Sequence, residues 1–486
     1  MVPKRISPAV QRGLTLGAVV LSLAWQNAAA GQDDDLDLIP ESVSAAQPAV
    51  STGTAGGRNS YRFFLEDEMQ VNSSRHSPLI PLPRNYAPGC SNRFTFYGKA
   101  DIRILPSLNF TLVDRLNHLS SNRTDFPSGR VQNDLNEAFL SWNAFGENYL
   151  DAGRINLKSG VAIGFNPVDF FRKDAVSLRT SEDPLVLREN RLGTVMARAQ
   201  SILPFGSLTL AAAPRISDRT GLVITDKSSF AFSLNRTNAR PRYLAKFSSS
   251  YKGLSYDLLY YSETAKPIFG ADLSRGIGEK LVVYAEWSRG KRRSLSAEAL
   301  LYDARSFGVD AKPYAGYLPG DSSMRARNEA VAGFSFTESG HKRSTFVEYH
   351  YNEAGMTPSD WHNWFASGYL QRIYNYPELA PLFDKANAAL WSIRDYAQRS
   401  MEPASSQQLF IRNQWQEAFT KKLDLTNLVQ INPVDRSFFA QSAAKYNLSD
   451  NFILSLALYF YAGGEHSEYG SVNKWNVIKP GITWLF

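Results

Sequence analysis

From Arg93 the chain alternates apolar and polar residues without interruption, and this period of two is the feature that most restricts its fold. Phe94, Phe96, Gly98, Ala100, Ile102 and Ile104 share one face, while Thr95, Tyr97, Lys99, Asp101 and Arg103 share the other. Successive side chains of a strand point to opposite faces, so the pattern reads as β-structure. Strands of a soluble sandwich alternate too, but they are usually shorter; ten or more residues match a tilted strand crossing a bilayer. The same alternation recurs at Leu108, Phe110 and Leu112, at Leu281, Val283, Ala285 and Trp287, and at Leu454, Leu456, Leu458 and Phe460.

Hairpin parity tests this reading. With Lys252 and Gly253 as a two-residue turn, Tyr251 faces Leu254, Phe247 faces Leu258 and Ala245 faces Tyr260, so apolar meets apolar. On the other face Ser248 meets Asp257, and Lys246 lies diagonal to it. A four-residue turn at Glu338 to His341 would set Ala332 against Val347, Ala330 against Tyr349 and Glu329 against His350. Connections alternate in length along the chain, with short turns separated by long polar segments at roughly 158–191, 215–241, 291–325 and 353–407. Membrane barrels have short turns at one end and long loops at the other. The expected fold class is therefore all-β: a transmembrane antiparallel β-barrel of about 18 strands, with 16 as the alternative. Its first strand begins near Tyr61.

Composition narrows the field further. A chain of 486 residues that is 43% hydrophobic, with 23 Tyr and 29 Phe and a mean hydropathy of −0.30, carries its aromatics within an otherwise polar sequence. One cysteine, Cys90, excludes a disulfide scaffold and a Cys-rich metal site. Lys4, Arg5 and Arg12 precede an apolar run from Gly13 to Trp25 and an Ala28-Ala29-Ala30 end. That run is too short to span and reads as a signal peptide over 1–30. No cysteine follows the cleavage position, which excludes a lipoprotein. Residues 31–60 are acidic, then rich in Ser, Ala, Gly and Pro, and are expected to be a disordered periplasmic tail ahead of a barrel over 61–486. The net charge of +7 includes no basic cluster longer than Lys291-Arg292-Arg293, so no nucleic-acid partner is expected.

The last residues, Lys479-Pro480-Gly481-Ile482-Thr483-Trp484-Leu485-Phe486, resemble the terminal assembly signal of Gram-negative outer-membrane proteins. Lys479 takes the polar place, Gly481 the glycine, Trp484 the penultimate apolar place and Phe486 the end. Together with the patches Gly164 to Phe171 and Val347 to Asn352, this makes residues 61–486 resemble a large outer-membrane barrel of the porin or alginate-export kind. The resemblance implies the outer membrane as location. It also implies the lipid bilayer and the barrel-assembly machinery as partners, a hydrophilic solute as cargo, no cofactor and no enzymatic activity.

Catalytic alternatives find little support in the residues. Of the six histidines, His350 is the one clearly on a strand, with Glu329 and Glu348 as expected neighbours; a structural pair inside the barrel is the simpler reading. No His-x-x-x-His or phosphate-binding glycine pattern occurs, Gly276-Ile277-Gly278 lacks a third glycine, and no metal site is expected. A plugged 22-stranded receptor would need a plug domain that the short stretch before the first strand does not supply.

Taking the face opposite each apolar stripe, the expected pore lining is Lys99, Arg103, Arg115, Arg198, Lys246, Arg412 and Lys479, with Asp101, Glu137, Asp257, Asp272, Glu286, Glu329 and Glu348, and His350 beside them. The signs balance, so the expectation is weak charge selectivity. The alginate-export family would be expected to show a strong basic excess, and the sequence departs from it there. Residues 353–407 are expected to form a helical extracellular loop, starting at Thr357 as N-cap and Pro358 as first helical residue, with a second helix from about Ala380 to Arg399. Its aromatics Trp361, Trp364, Phe365 and Trp391 are expected to pack on the mouth or meet sugar rings. The functional expectation is a channel for small or oligomeric hydrophilic solutes. The alternatives are an alginate-export-like polysaccharide pore and a surface-acting enzyme or receptor.

Overall fold

The computed structural model describes residues 59–75, 89–121, 129–216, 233–307, 322–373 and 380–486. The expected signal peptide and nearly all of the acidic tail lie outside them. Eighteen antiparallel strands form one closed sheet. They are β1 (Ser60–Ser74), β2 (Cys90–Leu105), β3 (Leu108–Ser121), β4 (Arg130–Phe145), β5 (Asn148–Ile155), β6 (Thr194–Leu203), β7 (Gly206–Ala213), β8 (Arg242–Tyr251) and β9 (Leu254–Glu263). The second half continues with β10 (Lys266–Ile277), β11 (Leu281–Arg292), β12 (Arg325–Glu338), β13 (Arg343–Asn352), β14 (Gln407–Trp415), β15 (Leu423–Asn432), β16 (Ser437–Ser449), β17 (Phe452–Ala462) and β18 (Lys474–Leu485). Each strand pairs with its sequence neighbours, and β18 pairs back onto β1, with Leu65 opposite Trp484 and Asp67 opposite Ile482. Closure leaves no free edge, the condition for a sheet to sit in lipid. The count is 18 rather than 16.

One end carries only short connections, at 106–107, 146–147, 204–205, 252–253, 278–280, 339–342, 416–422 and 450–451. The long ones, 156–193, 214–241, 293–324 and 353–406, all fall at the other end, together with two tight turns at 264–265 and 433–436. Lys252 and Gly253 both have positive φ, as a two-residue hairpin turn demands, and the register around them is the one read from the sequence.

The outer face is apolar and exposed. Near the short-turn end it carries Tyr61, Trp142, Phe145, Phe205, Tyr251 and Phe419; near the other end it carries Tyr243, Phe269, Trp287, Tyr351, Phe438 and Phe460. Two aromatic girdles around an apolar band are the signature of a barrel whose outside meets lipid. Ile482, Trp484 and Phe486 lie on this face, and the Phe486 N–H donates to the Phe63 carbonyl at 3.1 Å.

One register differs from expectation. The β12–β13 turn comprises residues 339–342, so Glu329 faces Asn352, and His350 faces Val331. Moving a turn by one residue moves the pairing by two, which returns every side chain to the same face. The hydrophobic pattern therefore cannot distinguish the two registers.

Candidate functional site

The segment between β5 and β6, residues 156–193, folds into the barrel instead of over it. Its apolar residues drive this. Val168 and Phe171 bury themselves against Phe139, Met196, Leu244, Leu259 and Tyr261 on one arc of the wall. Ile163 packs on another arc, among Phe346, Phe410, Leu428, Phe439, Tyr459 and Val477. Burying such side chains contributes roughly 1.5–3 kcal/mol each. Helix α1 (Pro184–Glu189) forms within the segment; Asp183 caps it by accepting from the Leu185 N–H at 3.1 Å, and Pro184 occupies its first turn.

Most of the remaining segment is irregular, so its backbone N–H groups need partners from elsewhere. Wall carboxylates supply them. Glu286 on β11 accepts from the N–H groups of Val161 and Ala162, both at 2.5 Å. Glu348 on β13 accepts from Ile163 at 2.7 Å and Gly164 at 2.9 Å, and also from the Tyr284 hydroxyl at 2.8 Å and His350 Nε2 at 2.9 Å. A Cβ on Gly164 would come within 2.7 Å of Glu348 and 3.0 Å of His350, so only glycine allows this approach.

One ion pair and several charge-assisted hydrogen bonds complete the attachment. Asp183 bonds Arg412 on β14 at 2.9 Å, and Lys479 on β18 donates to the Thr180 carbonyl at 2.8 Å. Arg115 donates to Asn190 at 2.7 Å, and Glu137 accepts from the Asn156 N–H at 2.9 Å. Within the segment Asp169 is clasped by Arg191 at 2.8 Å and Arg188 at 3.2 Å. Burial would raise the Asp169 pKa, but the two guanidiniums outweigh it and hold it below the usual carboxylate range.

The residues expected to line a pore thus divide. Glu137, Glu286, Glu329, Glu348, His350, Arg115, Arg412 and Lys479 are engaged by the infolded segment. Arg198 pairs with Asp151 at 2.6 Å and Lys246 with Asp257 at 3.1 Å along the wall. Lys99 lies 3.8 Å from Asp101, both about one-third exposed, and Arg103 sits exposed at the short-turn rim, donating to the Pro106 carbonyl. Asp272 faces Asp257 on one side and Glu286 on the other, deeply buried.

The segment 353–406 is helical as expected, with α3 (Pro358–Ile373) and α4 (Ala380–Ser400), and α2 (Leu295–Phe307) from the 293–324 connection packs on α4. Thr357 and Asp360 cap α3 reciprocally: the Asp360 N–H donates to Thr357 Oγ1, and Asp360 accepts from the Thr357 N–H. The aromatics, however, are not a platform for sugars. Trp361, Trp364, Phe365 and Trp391 are buried in a core with Leu295, Met356, Leu390 and Ile393. The Arg394 guanidinium lies 5.1–5.3 Å from the centres of all three tryptophan rings. Tryptophan periodicity on a helix cannot by itself distinguish a binding face from an internal one.

The helical cap meets the infolded segment at Arg172, Lys173 and Asp174. Arg172 bonds Glu329 at 2.7 Å and approaches Glu402 at 3.4 Å, while Arg292 grips Glu402 at 2.8 and 3.2 Å. Burial alone would raise the Glu402 pKa; Arg292 and Arg172 outweigh it and keep it well below the ordinary range. Lys173 Nζ donates to the Tyr396 hydroxyl at 2.7 Å.

Sequence reasoning missed the infolded segment and its residues Asp169, Arg172, Asp183, Arg188 and Arg191. The available signal was an apolar run, Val161-Ala162-Ile163-Gly164-Phe165, inside what otherwise reads as a polar connection. Around His350 the described residues place Glu348 and the rings of Phe165 and Phe410, with no serine in hydrogen-bond reach. Among the described residues, no three His, Cys, Asp or Glu side chains are grouped to hold a metal ion.

No family model matches this sequence, and no curated protein matches it. Among solved structures, the chain is similar to a triple mutant of the Rhodopseudomonas blastica porin, at 9% identity and a TM-score of 0.37, covering 88% of this chain and 100% of that one. It is also similar to Pseudomonas aeruginosa OccK5 (OpdH), at 6% identity and a TM-score of 0.46, covering 88% and 98%. At these identities neither likeness assigns a family or a solute, and the architecture that stands on this chain's own geometry is a closed, 18-stranded antiparallel barrel with residues 156–193 folded inside it.

Proposed function

We propose that the protein is an outer-membrane channel that passes small hydrophilic solutes, with its short turns in the periplasm and its long connections outside. The observation that carries this reading is residues 156–193 folded inside a barrel whose outer face is apolar. A purely structural barrel has no need to draw a segment into its centre and attach it with wall carboxylates. Paired charges such as Arg198 with Asp151 and Lys246 with Asp257 largely cancel along the wall, which supports weak ion selectivity there. The lipid bilayer is the partner of the outer face, and the assembly machinery would engage the terminal strand with its stripe of Ile482, Trp484 and Phe486.

Purified protein in a planar bilayer should give discrete conductance steps, with a reversal potential near zero in a salt gradient. A strong anion preference in that measurement would favour the polysaccharide-export alternative instead. Changing Phe486 to Asp should sharply reduce the amount assembled in the outer membrane, because the stripe loses its end. Recovery of the wild-type protein as a soluble periplasmic monomer would overturn the reading.

A further inference from the structure

The bonds and apolar clusters that hold residues 156–193 draw on the wall from β3 round to β18. Arg115 on β3 and Asn136 on β4 both donate to Asn190 at one limit of this arc, and Lys479 on β18 donates to the Thr180 carbonyl at the other. The strands that remain are β1 and β2, and there the wall bonds itself. Arg93 donates to Glu66 at 2.5 Å and to Thr95 Oγ1 at 2.6 Å and lies 3.3 Å from Glu68, while the Thr95 hydroxyl donates to Asn117 at 2.9 Å. Tyr61, Met69 and Val71 mark the outer face of β1, so its inner row is Arg62, Phe64, Glu66, Glu68, Gln70 and Asn72. Each of these six is partly exposed, from the short-turn end to the long-connection end. On β13, by contrast, Phe346, Glu348, His350 and Asn352 are all buried.

A side chain that points into a closed barrel is exposed only to water inside it. The segment offers its own least buried stretch beside this strip: residues 176–182 are all partly exposed, whereas Asp169, Phe171 and Arg172 just before them are buried. Arg179 and Glu182 pair at 2.7 Å, with side chains 25% and 24% exposed. Between them Thr180 accepts from Lys479, whose Nζ also stands 3.5 Å from Glu68, so wall and segment lie side by side at that depth. We infer that solutes pass off the barrel axis, along the inner face of β1, with residues 176–182 as the other bank, and that Glu66, Glu68 and Arg93 on the wall and Arg179 and Glu182 on the segment determine what passes. The inference deepens the channel reading and rests on it for its role; the wet strip along β1 is a property of the barrel itself. With Lys479 counted, three cations meet three carboxylates along this path, in keeping with weak charge selectivity.

Thiol labelling of the full chain tests it. In a Cys90→Ser background, Gln70→Cys and Phe64→Cys on β1 and Gln408→Cys on the buried inner face of β14 are assembled as folded barrels and treated with a negatively charged methanethiosulfonate reagent. Both β1 variants should be labelled rapidly, read by mass spectrometry, and labelling should lower their single-channel conductance by about half or more. Gln408→Cys should resist the reagent. Unlabelled β1 variants, or labelling of Gln408→Cys as fast as Gln70→Cys, overturns the path. Glu66→Gln combined with Glu68→Gln should move the reversal potential toward anion preference further than Asp257→Asn does, and an unchanged potential would remove these carboxylates from the selectivity set. Because labelling is read without any current, the two proposals fail separately: conductance with β1 unlabelled removes the path and leaves the channel, whereas labelled β1 in a protein that never conducts removes the channel and leaves the wet strip.

Discussion

Two long connections leave the same end of this barrel and solve the same problem in opposite ways. Within residues 353–406 the helices α3 and α4 satisfy their own backbone and bury Trp361, Trp364 and Trp391 in a core shared with Leu295 and Leu300 of the neighbouring connection. Residues 156–193 contain one short helix, and borrow both hydrogen-bond acceptors and apolar contacts from the inner wall. The difference shows where a connection goes when it cannot complete itself. Helical connections that bury their apolar faces against one another stay as a cap; one with unpaired N–H groups and scattered apolar residues is drawn to whatever surface supplies the missing partners. The polar interior of a barrel, normally a wet surface, becomes that surface once carboxylates stand at the right height.

The strongest test of this contrast is Glu348→Ala. It removes the acceptor for Ile163, Gly164, Tyr284 and His350 at once, with a cost of about 1–3 kcal/mol for each group left unpaired in a buried place. The barrel should still assemble, and single-channel conductance should rise as the segment loosens. Unchanged conductance would show that apolar packing alone holds it.

Trp364→Ala probes the other region. Truncating this fully buried ring should cost the cap about 3–5 kcal/mol, read as faster hydrogen exchange over residues 358–400 with the strands unaffected. Loss of the strands' protection would mean that cap and barrel are one cooperative unit.

The joint between the regions should respond to acid. Glu402 has a folded pKa below its unfolded value of about 4.3, so its contribution is fully present at pH 7 and 5 and is lost as pH falls below the ordinary carboxylate range. Tryptophan fluorescence of the cap should therefore be constant from pH 7 to 5 and change only in stronger acid. A transition near neutral pH would place the joint elsewhere.

The smallest effect belongs to the wall pair that neither region uses. Asp257→Asn leaves Lys246 without its partner at 3.1 Å, a partly solvated pair that contributes about 1 kcal/mol or less to stability. Stability should barely move, while the reversal potential shifts slightly toward anion preference. A large loss of stability would show that the row Asp257, Asp272 and Glu286 depends on that lysine.

The sequence alone determined the wall. Alternation in β2, the hairpin about Lys252-Gly253, the inward direction of Lys246, Asp257 and Glu348, the number of strands and the outward stripe of Ile482, Trp484 and Phe486 were all legible, because a strand's side chains alternate locally and need no distant information. The helix start at Thr357-Pro358 was legible for the same reason. The tertiary structure decided what fills the wall. Glu286 and Glu348 meet N–H groups 124 and 185 residues away in the chain, and no periodicity records such a pairing. Nor could it show that the cap's tryptophans face each other. Direction is a property of each residue in its strand. Partnership depends on which distant residues the closed barrel brings to the same depth.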